Sequence, residues 1–119
     1  MVDTQLEDYD AMSDVRTRAL QIAADHPAFD GHFPGHPILP GVALLAEVLE
    51  AVRDEPQLAA AIGERPRLPV AKFLAPVLPG AHLTIEFRLG AKSLDWRAVE
   101  GERVVASGQI ARADLRPAP

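Results

Sequence analysis

The chain has 119 residues, with 17 acidic against 12 basic side chains for a formal charge of −5, 48% hydrophobic and 24% charged residues, and no cysteine. That is the composition of one folded domain with a modest core rather than of a disordered chain. It excludes disulfides and thiolate chemistry, and the acidic balance argues against a nucleic-acid binder, whose phosphate contacts need a basic surface.

In chain order, residues 1–13 carry no apolar period and read as an arm on a single domain that takes the rest of the chain. The opening MVDTQLEDYDAMSD is acidic where an export signal would be basic, and no apolar run reaches the length of a membrane span. A cytoplasmic location is the expectation. Residues 15–25, VRTRALQIAAD, are compatible with a strand but break strict alternation. Residues 26–41, HPAFDGHFPGHPILPG, hold three Gly and four Pro in sixteen, which forbids regular structure and predicts a stiff loop of defined shape.

After Pro40-Gly41, VALLAEVLEAVRD predicts a helix over about 41–54, with Val42, Leu45, Leu49 and Val52 recurring at spacings of three and four. Its first half is apolar all round, so burial on every side is expected there. A second short helix, QLAAAI, follows Pro56 and ends at Gly63. The remainder reads as strand. AHLTIEFRLG alternates Leu83, Ile85, Phe87 and Leu89 against Thr84, Glu86 and Arg88, and RLPVAKFLAPVLPG, KSLDWRAVE and ERVVASGQIARADL are separated by turn residues at hairpin spacing. The fold class is therefore α+β, a helix packed on one face of an antiparallel sheet.

Three stretches carry a family resemblance: GHFPGHPILPGV, then AKFLAPVLPGAHLTIEF over 71–87, and more weakly VEGERVVASGQI. Together they resemble the 3-hydroxyacyl-acyl-carrier-protein dehydratases, which have the hot-dog fold, a curved antiparallel sheet around a central helix. The resemblance spans roughly residues 29–110 and implies a homodimer, or a higher homo-oligomer, with two active sites at the interface. It implies that His32 is the base that removes the proton alpha to a thioester carbonyl. The amides around Gly41 and Val42 hold the thioester oxygen, and Phe33 and Pro40 lie beside the substrate. An Asp or Glu of the partner's helix helps the hydroxyl leave as water. No cofactor is implied beyond the phosphopantetheine or coenzyme A of the substrate itself. Each role suits its group: imidazole titrates in the useful range, free amides at a helix start favour a developing oxyanion, and Gly41 allows close approach.

The chain departs from the family pattern at one place. The helix acid stands fourteen residues after the histidine, which is Ala46 here. Two acids lie near. Glu50, at i+4, stays on the face of Ala46 about 6 Å further along the axis, and helical side chains lean back toward the N-terminus. Glu47 leaves that face and is the rival acid if the register shifts. Both glutamates also read as the solvated end of an amphipathic helix. His36 is expected to be exposed, His26 and His82 to be surface residues, and Phe73 and Trp96 to pack. A His32/His36 metal pair lacks a third ligand, so no metal is expected.

Three functions stay open. The first is a dehydratase making trans-2-enoyl thioesters from (3R)-hydroxyacyl thioesters in fatty-acid, polyene or polyketide synthesis. The second is an acyl thioesterase in which a helix carboxylate activates water or attacks. The third is a non-catalytic acyl-thioester-binding or partner subunit. An acyl carrier protein is strongly acidic, as is this chain, so docking would rest on a local basic cluster, for which Arg65, Arg67 and Lys72 are the candidates.

Overall fold

Residues 14–29, 38–90 and 93–112 are described by the structure, a computed structural model. Five strands form one antiparallel sheet: β1 (Asp14–Gln21), β2 (Arg67–Phe73), β3 (His82–Leu89), β4 (Ser93–Glu100) and β5 (Arg103–Ala111), in the order β1-β3-β4-β5-β2. Two helices, α1 (Gly41–Arg53) and α2 (Pro56–Ile62), cover one face. Among the described residues of the segment expected to hold no regular structure, Pro27–Phe29 form a 3-10 turn, and its Phe29 enters the core.

The alternation in AHLTIEFRLG has the physical basis that period two implies. Leu83, Ile85 and Phe87 are buried toward the helices, against Leu94, Trp96 and Ala98 of β4 and the buried side of α1, namely Leu44, Val48, Ala51 and Val52. Leu58 and Ile62 of α2 complete this layer. Gly63, at φ 77°, ends α2 in the left-handed backbone region that glycine adopts at low cost. Trp96 packs over Gly108. A Cβ on Gly108 would lie 2.5 Å from the Val70 carbonyl oxygen and 2.8 Å from the indole Nε1, so only a residue without a side chain fits under the ring.

Of two expectations, the first is borne out in part and the second is corrected. Residues 15–25 do form a strand as far as Gln21, and its broken alternation has a cause. Arg16 and Arg18 pair across from Phe87 and Ile85, on the face that carries the helices. Arg18 reaches the end of α1, where Nη1 donates to the Ala51 carbonyl at 3.3 Å and Nη2 to Asp54 Oδ2 at 2.9 Å, while Arg16 donates to the Gln57 side chain. Arg18 at the C-terminus of α1 and Arg16 at the start of α2 thus hold inner positions that an apolar residue would otherwise take.

The correction concerns the first half of α1, which is not buried on every side. Val42 is 76% exposed, and Ala46, Glu50 and Arg53 continue its open stripe along the helix. Helical period explains the stripe, since residues at i, i+4 and i+8 share a face. An apolar start of this kind in a single chain leaves a surface unpartnered. Edge strand β2 extends it, with every residue exposed, including Leu68, Val70 and Phe73, and with Leu74 and Leu78 beyond the strand.

Candidate functional site

The site is built where the proline-rich segment enters α1. Pro40 is the N-cap residue, extended at φ −60° and ψ 146°, and it has no side-chain oxygen to offer the first turn. Its carbonyl receives the first two bonds of the helix, from the amides of Ala43 at 3.0 Å and Leu44 at 3.1 Å. The N–H groups of Gly41 and Val42 therefore face out of the helix end, at the positive pole of its dipole. One residue earlier, the Leu39 amide donates to the Val77 carbonyl at 2.8 Å and pins the helix entry to the segment after β2. Between these two pieces lies a cavity of about 360 Å³, walled by residues 38–41 and 73–77 with Leu44 behind them.

Of the site residues expected from sequence, Pro40, Gly41 and Val42 come together at this helix entry. His32, Phe33 and His36 lie outside the described residues. Gly41 has a second reason to be glycine. The ring of Phe73 lies against it, with Cε2 and Cζ only 3.0 Å from where a Cβ would stand. Phe73 itself, expected only to pack, is half-exposed and walls the cavity. Nothing in the sequence links residues 41 and 73, which lie on different elements, so their contact is visible only in three dimensions.

The two candidate acids have separate fates. Glu47 is committed to its own chain, its Oε2 standing 2.9 Å from His26 Nε2, with side chains 25% and 20% exposed. The imidazole is fixed from both ends. Its Nδ1 accepts the Ala28 amide at 3.0 Å, so Nε2 carries the hydrogen and donates it to Glu47. The ring also meets Phe29 edge-on, centroids 6.2 Å apart. His26, expected at the surface, is instead the tie between the 3-10 turn and α1. Both ring nitrogens of His26 and the Oε2 of Glu47 are thus engaged within this chain. Glu47→Ala is expected to lower stability by about 1–2 kcal/mol in urea unfolding, since it orphans a half-buried donor. Glu47→Gln keeps an acceptor and should lose less.

Glu50 lies on the open stripe with Val42 and Ala46, and its side chain has no partner among the described residues. Arg65, Arg67 and Lys72 are all exposed. A bulge between Arg67 and Val70 places Arg67 opposite Ala111 and Lys72 opposite Ser107, so both basic residues present the same face of β2. His82 is exposed. Among the described residues no group of three or more His, Cys, Asp or Glu is placed to hold a metal ion, and no helix is long and apolar enough to cross a membrane.

A family model described as ApeI-like, ApeI dehydratase, matches residues 10–109. The 3-hydroxyacyl-[acyl-carrier-protein] dehydratase FabZ of Symbiobacterium thermophilum is 31% identical over 99 residues, covering 80% of this chain and 70% of its own length. Among solved structures, a chain of the dehydratase heterocomplex ApeI:P from Xenorhabdus doucetiae superposes with a TM-score of 0.69 at 25% identity, over 82% of this chain and 85% of that one. The fluoroacetyl-CoA thioesterase FlK reaches a TM-score of 0.57 over 82% of each chain but only 17% identity, a likeness of fold alone. The hot-dog expectation holds: a five-stranded antiparallel sheet covered by helices.

Proposed function

Because the chain belongs to the ApeI-like dehydratase family, we propose that it removes water from (3R)-hydroxyacyl thioesters to give trans-2-enoyl thioesters, in a site shared by two copies. The observation that carries this reading is the open N-terminus of α1 beside an apolar cavity, at the end of the stretch that bears His32. A thioester oxygen accepting from the Gly41 and Val42 amides has its developing negative charge stabilised without any side-chain rearrangement. His32 then takes the alpha proton. The electron pair left on the alpha carbon forms the double bond to the beta carbon, and the beta hydroxyl departs as water with a proton supplied by Glu50 of the partner copy. Glu50 is preferred over Glu47 because Glu47 is already spent on His26.

Joining two copies through the exposed edge of β2 would continue the sheet and cover Leu68, Val70 and Leu74. The substrate brings its own phosphopantetheine or coenzyme A, and no separate cofactor enters the scheme. For a carrier-bound substrate, Arg65, Arg67 and Lys72 form the local basic patch that an acidic carrier protein needs on an otherwise acidic chain. We place the reaction in the cytoplasm, with carrier-bound acyl chains as its supply.

A second reading keeps the chemistry but changes the partner. Ala46 gives a neighbouring copy no acid at the position the resemblance implies, and one structural neighbour is a chain of a dehydratase heterocomplex, ApeI:P. A related chain carrying that acid would then complete the site with His32, and this chain alone would be inactive. Turnover of the purified protein on a (3R)-hydroxyacyl thioester, with enoyl product and free thiol followed separately, tests the proposal. Enoyl product is expected. Free thiol without enoyl product would make the chain a thioesterase.

A further inference from the structure

We propose that Phe73 sets which acyl groups the site accepts at the carbon next to the thioester carbonyl, an inference that rests on the dehydratase reading. β2 brings Phe73 opposite Ala106 on the face that carries the helices. Ala106 is small and fully buried, so it gives the ring little cover, and the ring extends beyond the sheet to the first turn of α1. There it stands 3.0 Å from the position of a Gly41 Cβ while remaining 48% exposed. It is therefore a wall beside the two outward-facing amides, not a member of the core.

Bond lengths limit what this wall can touch. A thioester oxygen held about 2.9 Å from an amide nitrogen places the carbonyl carbon one bond away, with the alpha carbon and the sulfur two bonds away. Groups attached to those two atoms are the ones that reach a ring lying beside the same helical turn. The sulfur leads into the pantetheine arm, whose amides need polar partners. The side chains that line the space next to Phe73 are instead all apolar, among them Leu39, Leu44, Ala75 and Val77. The ring thus faces the acyl side, and the alpha carbon is where acyl groups differ closest to the carbonyl. An unbranched chain has only hydrogen there, whereas a 2-methyl group would meet the ring.

The test compares an unbranched (3R)-hydroxyacyl pantetheine thioester with its 2-methyl counterpart, supplied as both 2-epimers, on wild type, Phe73→Leu and Phe73→Ala. Circular dichroism and oligomer size check that each variant is folded. Wild type is expected to favour the unbranched substrate by about tenfold or more in kcat/KM, the discrimination one methyl group can carry in a tight pocket. Phe73→Ala should reduce that preference by about tenfold, and Phe73→Leu should fall between. A general loss of stability would lower both rates together and leave their ratio unchanged, so the ratio reports the wall itself. An unchanged ratio in both variants, with the unbranched substrate still dehydrated, overturns the proposal alone. Failure of wild type to form any enoyl product overturns the dehydratase reading, and the role of Phe73 with it.

Discussion

His32→Ala is expected to lower enoyl thioester formation by about 10²- to 10⁴-fold, the usual worth of a positioned general base, while the circular dichroism spectrum and Tm stay those of wild type. The argument rests on supply. Removal of an alpha proton needs a group that is basic near neutral pH, and imidazole is the side chain that provides one. Of the four histidines, His26 has both ring nitrogens engaged within its own chain, His82 sits exposed at the start of β3, and His36, between Gly35 and Pro37, has no role in the motif that the resemblance implies. His32 stands in the GHFPG stretch, nine residues ahead of Gly41. A variant that retained most of its activity would remove alpha-proton abstraction by His32 from the mechanism.

Glu50→Gln is the second large effect, with a loss of about 10²- to 10³-fold in enoyl formation and little change in stability. The substitution preserves size and a hydrogen-bonding oxygen but removes the proton that lets the hydroxyl leave as water. Stability should hold because the carboxylate is exposed and its side chain has no partner among the described residues. Glu47→Gln provides the contrast: its activity should stay close to normal, since Glu47 serves the His26 tie rather than the substrate. The opposite pattern, an inactive Glu47→Gln beside an active Glu50→Gln, would move the acid by three residues and require His26 to release it.

How far the sequence could be read depended on whether the responsible forces were local. The alternation of Leu83, Ile85 and Phe87 and the spacing of Val42, Leu45, Leu49 and Val52 follow from backbone periods of two and 3.6, so β3 and α1 were legible directly. Gly63 as the stop of α2 was likewise a local signal. The inward-facing arginines of β1 were not legible. Arg16 and Arg18 take inner positions because α1 ends against Arg18 and α2 begins beside Arg16, a fact of packing that no period carries.

The same holds for the open stripe of α1. An apolar run shows that burial is wanted but does not show what supplies it, and this chain's own sheet leaves Val42 exposed. His26 and Glu47 are 21 residues apart and Gly41 and Phe73 are 32 apart, so both pairings had to wait for the fold. The first took a rival acid out of the site, and the second turned a packing residue into a wall of the cavity.

Mixing the two inactive variants tests the shared site most directly. If His32 of one copy works with Glu50 of the other, a dimer of one His32→Ala chain and one Glu50→Gln chain contains one intact site and one doubly damaged site. Co-refolding equal amounts makes half of the dimers mixed, so activity should return to about a quarter of the wild-type level, where each variant alone is nearly inactive. A mixture no more active than its two components, with mixed dimers shown to have formed, would contradict a site built from His32 and Glu50 of different copies.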